Sequence, residues 1–448
     1  MHRMKNPDES TKIHDPYAAF RHVHYRAYFI LNFLGVLGSQ MTATAVGWQL
    51  YTRTHQPLTL GLVGLAMAVP HYLLFLPAGN ASDRHDRKKI FLSAQTTLLA
   101  ASLILGLVHT HMEAVSSLSF LNIFHPHAAM SQTAYLTLVY GCLFLMGGSF
   151  AFLIPAKQSM IQLLVPRESI PNAVAWNSSA FQVAAISGPV LAGLLLKFHP
   201  GGEVFFIDAG ISLVVIALLL SLRYVQQEVE KKDMTWDSLV EGVRFVKGTR
   251  LLLAAITLDL FAVLFGGATA LLPIYAVDIL HGDSLTLGYL RAAICLGAIG
   301  MAMVVAHRPL HRAGKTLLWA VAGYGLATIV FGFSKNLCLS LCMMALLGAL
   351  DNISVILRGT LVQMLTPNRL MGRVQAVNFL FITSSNELGA FESGTMAAVF
   401  GTVFAVVSGG VGTILVVLWV AHYWPDLRKL DRLDQVGKIP DEVEIKQG

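Results

Sequence analysis

Long uncharged apolar runs alternate with short charged segments along this chain of 448 residues, and this alternation constrains its fold most strongly. Residues 58–78 and 90–108 contain no Asp, Glu, Lys or Arg. Each run is long enough to cross roughly 30 Å of hydrocarbon as a helix. Charged residues make up 13% of the chain, about half the share of a typical soluble protein. The expected solvent for most of the chain is therefore lipid.

About twelve apolar runs can be counted, without strand-like alternation, so the expected fold is all-α with twelve transmembrane helices. The runs are centred near residues 40, 69, 100, 145, 183, 213, 265, 296, 325, 349, 385 and 412. Basic residues concentrate in alternate loops, which predicts that both termini are cytoplasmic. The net charge of +6 then reflects membrane topology, and we expect no nucleic-acid partner.

An internal repeat divides the chain into two halves of the same orientation. Residues 147–177 align without a gap on residues 348–378, so that Gly147 corresponds to Gly348 and Lys157 to Arg358. Earlier in each half, the sequence Thr-Leu-Gly occurs once at the corresponding place. We therefore expect two parallel six-helix bundles. The predicted segments are a cytoplasmic N-terminal segment (1–26), a first bundle (27–222), a linker with an amphipathic helix (223–250), a second bundle (251–424) and a cytoplasmic tail (425–448).

The segment between the second and third runs reads Gly-Asn-Ala-Ser-Asp-Arg-His-Asp-Arg-Lys-Lys over residues 79–89, which predicts a sharp, charged turn outside the bilayer. It resembles the signature G-x-L-a-D-r-x-G-r-k of the major facilitator superfamily, with Asp86 in place of the second glycine. The Asp-Arg-His-Asp-Arg-Lys variant is similar to that of the drug and siderophore exporter subgroup, which contains enterobactin exporters and macrolide efflux pumps. The resemblance covers nearly the whole chain and implies alternating access between the halves.

The resemblance also implies a cytoplasmic gate at this segment. Asp83 would accept hydrogen bonds from the positive N-terminal end of the eleventh helix, which should begin near Gly372. The expected gate residues are Gly79, Asp83, Arg84, Arg87, Lys88 and Arg373. The alternative is a charge cluster that serves membrane topology only. In the second half Leu310 stands opposite Asp83, so the gate is expected in the first half alone.

Ionisable residues inside apolar runs are costly in lipid unless they are paired or wetted, so they are candidates for proton coupling. The candidates are Asp259, Arg291, Asp351, Arg358, Glu387 and Glu392. The repeat places Phe150 and Ile186 opposite Asp351 and Glu387, which predicts that the acids belong to the second half only.

Glu387 lies beside Asn386 and is the preferred proton carrier. A static ion pair of Glu387 with Arg358 or Arg291 is the alternative. For Glu392 and Asp259 we expect structural pairing between helices.

The resemblance further implies a gate or leak barrier at Gly188, Pro189 and Gly193 in the fifth span, with ordinary close packing as the alternative. A substrate cavity should form between the halves near the middle of the membrane. Depth and polarity select Gln40, Thr44, Tyr140, Asn177, Gln182, Phe261, Phe265 and Asn352 as its lining. Scattered amides and aromatic rings suit amphipathic molecules better than sugars.

These features predict a proton-coupled exporter of small amphipathic compounds, acting as a monomer in a bacterial inner membrane. Its expected partners are the lipid bilayer, the substrate and protons. An importer of the same fold and a non-transporting receptor or scaffold are the alternatives. We expect neither an enzyme nor a cofactor, since no metal motif, nucleophile elbow or nucleotide loop occurs. No metal is expected at the outer-loop histidines His109, His111, His125 and His127, which lack completing ligands.

Overall fold

A computed structural model describes residues 17–117, 131–222, 236–307, 312–367 and 370–430, and these residues are almost entirely helical. The helices are α1 (Val23–Thr54), α2 (Pro57–Arg84), α3 (Arg87–Ser117), α4 (Gln132–Leu164), α5 (Ile170–Phe198), α6 (Glu203–Ser221), α7 (Trp236–Gly248), α8 (Arg250–Phe265), α9 (Leu272–Ile274), α10 (Ser284–His307), α11 (Ala313–Phe333), α12 (Leu337–Leu365), α13 (Met371–Phe400), α14 (Thr402–Tyr423) and α15 (Pro425–Lys429). Most of the predicted terminal segments, about half of the linker, Leu310, His125 and His127 lie outside the described residues.

Eleven stretches of the described chain are long and apolar enough to cross a membrane, and α8 and α9 belong to the same one. The helix α13 is not among them, although it has 30 residues and packs in the bundle against α2 and α14. It carries Arg373, Glu387 and Glu392, and these charged residues interrupt its apolar run. The predicted all-α fold of two repeated membrane bundles is confirmed, with α13 as its twelfth member.

The predicted turn at residues 79–89 is shorter than its composition suggests. The helix α2 continues to Arg84 and α3 begins at Arg87, so only His85 and Asp86 separate them. The Asp86 Oδ1 atom accepts a hydrogen bond from the backbone N–H of Lys88 at 2.9 Å. Asp86, which replaces a glycine of the signature, therefore caps the N-terminus of α3.

The first half comprises helices α1 to α6 and the second comprises α8 to α14. The internal repeat reappears as equivalent contacts between helices within each half. A Cβ atom added to Gly147 would lie 2.8 Å from Met67 Cα, and one added to Gly348 would lie 3.0 Å from Ile294 Cα. Met67 and Ile294 are each the eleventh residue of their helices, α2 and α10. Matching glycines thus let α4 approach α2, and α12 approach α10, at the same point.

The halves meet along α5 with α10 and α2 with α13. At the end of the bundle where α1 ends and α2 begins, here called the distal end, the Ser284 hydroxyl donates to the Gly193 carbonyl at 2.7 Å. The Lys197 ammonium lies 2.9 Å from the Asp283 carboxylate, and the Tyr51 hydroxyl donates to Asp278. Each contact joins the first half to the second, so the halves are held together at the distal end.

Candidate functional site

A cavity of about 340 Å³ lies between the two halves and is lined by residues of both. The first half contributes Gln40, Gly47, Gly64 and Pro189, and the second contributes Arg291, Cys295, Asn386 and Glu387. We call it the central cavity. It places one carboxylate and one guanidinium in the same space near the middle of a membrane-spanning bundle.

Glycines on the first half make room for both charged side chains. A Cβ atom at Gly64 would lie 3.1 Å from the Glu387 carboxylate, and one at Gly47 would lie 3.6 Å from the Arg291 guanidinium. The Arg291 Nη1 atom donates to the Thr44 hydroxyl at 3.3 Å. No ion pair joins Arg291 and Glu387 in the described part of the chain. Both charges therefore face a shared space while Glu387 keeps its carboxylate available.

Arg358 is paired elsewhere. Its guanidinium forms an ion pair with Asp259, and the side chains are 5% and 6% exposed. The other Asp259 oxygen accepts a hydrogen bond from the Ser354 hydroxyl at 3.3 Å. In this conformation the partner of Arg358 is Asp259 rather than Glu387, which connects α8 to α12.

Asp351 lines a smaller cavity of about 130 Å³ with Tyr324 and Gly348. This cavity also touches Asn386 and Ala390, which line the central cavity as well. Glu392 does not line either cavity, and its carboxylate accepts a hydrogen bond from the neighbouring Ser393 at 3.2 Å. The structure therefore brings Glu387 and Asp351 near a common wall and leaves Glu392 apart.

The predicted gate residues lie on different elements. Gly79, Asp83 and Arg84 belong to the last turns of α2, whereas Arg87 begins α3. The side chains of Asp83 and Arg84 lie outside the described part of the chain. The Lys88 ammonium donates to the carbonyls of Leu220 and Leu222, at 2.9 and 2.8 Å, and so caps the end of α6. Arg373 forms an ion pair with Glu241 of α7. These contacts fasten α6 to α3 and the linker helix to α13.

The predicted bend residues pack α5 closely against its neighbours. A Cβ atom at Gly188 would lie 2.7 Å from Gln40 Cβ, and one at Gly288 would lie 2.6 Å from the Pro189 carbonyl oxygen. Gly193 accepts the hydrogen bond from Ser284 described above. All three predicted residues thus lie at contacts of α5 with α1 or α10.

The predicted cavity lining is only partly brought together. Gln40 lines the central cavity, Thr44 hydrogen-bonds to Arg291, and Asn177 lines a different cavity inside the first half. The Tyr140 hydroxyl donates to the Thr59 carbonyl at 3.0 Å, and Gln182 is half-buried on α5.

The three remaining lining candidates lie in the second half. Phe261 stacks on Phe265 and contacts Trp419, so these rings pack against α14. Asn352 is half-buried and its side-chain oxygen has no described hydrogen-bond partner.

Asp208 on α6 is an acid that the sequence reading missed. It is 7% exposed, and its Oδ2 atom accepts hydrogen bonds from Thr42 at 2.9 Å and Ser102 at 2.6 Å. The expectation that the intramembrane acids belong to the second half only is therefore wrong. The available signal was a single carboxylate inside the apolar run from residue 204 to 221.

The histidine His109 is buried and engaged within the first half. Its ring nitrogens lie 2.7 Å from the Leu105 carbonyl and 3.1 Å from the Tyr135 hydroxyl. The described part of the chain contains no group of three or more His, Cys, Asp or Glu side chains that could hold a metal ion.

Comparison with known proteins places the chain among membrane transporters. It is 26% identical to the enterobactin exporter EntS of Citrobacter koseri over 424 residues, which is 94% of this chain and 95% of that protein. It is 25% identical to the same exporter of Shigella flexneri over 414 residues, 91% of this chain and 93% of that protein.

Solved transporter structures share its fold. A bacterial homologue of the iron transporter ferroportin in an inward-facing state gives a TM-score of 0.68 at 15% identity, covering 91% of this chain and 99% of that one. A POT family transporter in complex with 5-aminolevulinic acid gives 0.68 at 11% identity, covering 91% and 97%. The family described as transmembrane secretion effector matches residues 14–445. The chain therefore belongs to this family of major facilitator transporters and is related to enterobactin exporters.

Proposed function

We propose that this transporter exports small amphipathic compounds in exchange for protons, with Glu387 as the proton carrier. The observation that carries the proposal is the central cavity, in which Glu387 and Arg291 face one space shared by both halves. A carboxylate between the halves of an alternating-access transporter can take up a proton in one state and release it in the other. The export direction is supported by the exporter relatives and by the secretion family.

The surroundings of Glu387 suit a group that changes its charge. Its carboxylate has no described ion-pair or hydrogen-bond partner, whereas the Asp259 carboxylate is held by Arg358 and Ser354. Arg291 lines the same cavity, so an anionic Glu387 has a cation nearby when it loses its proton. Substrate binding in the cavity and protonation of Glu387 can then exclude each other, which is the requirement for exchange.

The deciding experiment is transport by purified protein in liposomes that contain a pH-sensitive dye. A proton gradient is imposed across the liposome membrane, in either direction. A panel of siderophores, macrolides and lipids supplies the candidate substrates. We expect outward substrate movement to be accompanied by inward proton movement. In Glu387→Gln we expect the proton movement to fall to the level of empty liposomes, because the amide cannot titrate.

Glu392→Gln is the matched control, since Glu392 lies on the same helix but outside the central cavity. It should retain proton movement. If Glu387→Gln retains proton-coupled flux, Glu387 is not the carrier. Flux in the inward direction only would favour the importer, and binding without flux for the whole panel would favour a receptor.

In the proposed orientation both termini are cytoplasmic and the distal end faces outward in a bacterial inner membrane.

A further inference from the structure

A second large cavity lies inside the first half, and proton exchange at Glu387 makes no use of it. It is lined by residues of α1, α3, α4, α5 and α6 and has a volume of about 490 Å³. Its walls are mainly apolar and include Phe91, Phe150 and Phe181. We call it the first-half cavity. Its size is that of a pocket for a small organic molecule rather than for a single ion.

Two charged side chains, Lys157 and Asp208, line the first-half cavity. On α1, the Tyr28 hydroxyl donates to the Lys157 backbone carbonyl at 2.8 Å, whereas Gly38 contacts the Asp208 carboxylate. Tyr28 and Gly38 lie ten residues apart, which corresponds to about 15 Å of helix. No ion pair joins Lys157 to Asp208 in the described part of the chain, so the two charges do not neutralise each other directly.

The two charged groups differ in their hydrogen-bond and ion-pair partners. Asp208 receives hydrogen bonds from the hydroxyls of Thr42 and Ser102. Lys157 is half-buried in a membrane-spanning helix, and the described part of the chain places no carboxylate or other acceptor within bonding distance of its ammonium. A desolvated cation without a partner is unfavourable, so a group that supplies a negative charge there would be bound strongly.

The repeat shows what is missing beside Lys157. Lys157 and Arg358 occupy equivalent positions, ten residues after Gly147 and Gly348. Asn32 and Asp259 are each the tenth residue of their helices, α1 and α8. The second half thus pairs a cation with an acid, while the first half has an amide in the place of the acid.

The Asn32 side chain is hydrogen-bonded to another residue and does not pair with the Lys157 ammonium. The Asn32 Nδ2 atom donates to the Asn177 side-chain oxygen at 2.9 Å, and Asn177 in turn donates to the Ala173 carbonyl at 3.0 Å. Both amides are therefore engaged with each other and with the backbone of α5. The cation keeps an open cavity in front of it where the second half has a carboxylate.

We propose that the first-half cavity binds a small organic anion, with its negative group at Lys157 and its apolar or aromatic body against Phe91, Phe150 and Phe181. The ligand supplies the charge that Asp259 supplies to Arg358 in the second half. Gln40 lines both this cavity and the central cavity, so the two spaces are neighbours. The site does not depend on proton exchange, because ligand binding there needs no gradient.

The test is equilibrium binding of naphthalene-2-sulfonate to purified protein in nanodiscs, measured by calorimetry. The uncharged naphthalene-2-sulfonamide has the same ring system and serves as the matched probe. We expect Lys157→Met to weaken sulfonate binding by about 10- to 100-fold, the range for a hydrogen bond to a charged group. Sulfonamide binding should change by less than about twofold, since its contacts are those of the rings. Lys157→Arg should retain sulfonate binding.

Asn32→Asp provides a second variant, which adds the acid that the second half possesses. It should weaken sulfonate binding as Lys157→Met does, while the unfolding temperature stays equal or rises. Lys197→Met, which removes a half-exposed lysine at the distal end, should bind the sulfonate as the original protein does. Equal binding of sulfonate and sulfonamide to the original protein would overturn the proposal. Loss of binding in Glu387→Gln but not in Lys157→Met would place the ligand in the central cavity and overturn it too.

Discussion

Asp259 and Arg358 form an ion pair between α8 and α12 in which neither side chain is more than 6% exposed. At the scale of single residues, the energy of such a pair lies mainly in the cost of leaving one charge alone. We expect Arg358→Met to reduce the free energy of unfolding by about 3–5 kcal/mol, because Asp259 would remain buried without its cation. Thermal and denaturant unfolding in detergent micelles measures this change.

The double variant Asp259→Asn with Arg358→Met removes both charges and should recover most of the lost stability. Lys197→Met is the control, because Lys197 and Asp283 are nearly half exposed and such pairs contribute at most about 1 kcal/mol. A double variant as unstable as Arg358→Met would show that the ion pair itself, rather than charge balance, stabilises this helix contact.

Glycine positions decide the spacing of whole elements. On α4, a Cβ atom at Gly147 would overlap the backbone of α2, whereas a Cβ atom at Gly141 would meet nothing within 4 Å. We expect Gly147→Ala to reduce the free energy of unfolding by about 1–3 kcal/mol, since α2 and α4 would have to move apart. The unfolding midpoint in detergent micelles checks the change.

Gly141→Ala is the matched control on the same helix and should be neutral or stabilising by up to about 1 kcal/mol, because alanine restricts the unfolded chain more than glycine does. Equal destabilisation by both substitutions would mean that helix propensity, rather than the approach of α2, explains the effect. The equivalent change at Gly348 should behave like that at Gly147, as the repeat places it against Ile294 of α10.

At the scale of the whole molecule, contacts at the distal end hold the two halves together. Burial tends to raise the pKa of Asp283, but hydrogen bonds from Lys197 and Thr286 outweigh burial and lower it below the usual 3.8. The carboxylate therefore stays charged, and its contribution to closure is present above pH 3.8 and lost as the pH falls through the lowered pKa. Distal closure should thus be constant between about pH 5 and pH 8.

Cys295 lines the central cavity and can report on this closure once Cys142, Cys338 and Cys342 are replaced by serine. We expect Asp283→Asn to speed labelling of Cys295 by a membrane-impermeant maleimide added at the distal side. The increase should be about two- to fivefold, as expected for a half-exposed ion pair. The thiolate fraction of Cys295 changes with pH, so the labelling rates of Asp283→Asn and of the parent protein are compared at each pH. A ratio of these two rates that changes between pH 5 and pH 8 would contradict the role assigned to Asp283.

Several features of this protein follow from its sequence alone. Apolar runs of membrane-spanning length force a helical bundle, since lipid offers no partner for unpaired backbone groups. The repeat, visible as matching glycines such as Gly147 and Gly348, gives two equivalent halves because these glycines perform the same packing in each. Isolated charges in apolar runs selected Glu387 and Asp351 as candidates for proton coupling, and the structure places both in cavities that share wall residues.

Which of these charges are paired was decided by the tertiary structure only. Arg358 finds Asp259 across nearly a hundred residues of chain, and Asp283 finds Lys197 in the other half. Helical periodicity gives the face on which a side chain lies, but the neighbour on that face depends on how the helices pack. For the same reason the first-half cavity, with Lys157 unpaired because Asn32 stands where the second half has Asp259, could be found only in the folded molecule.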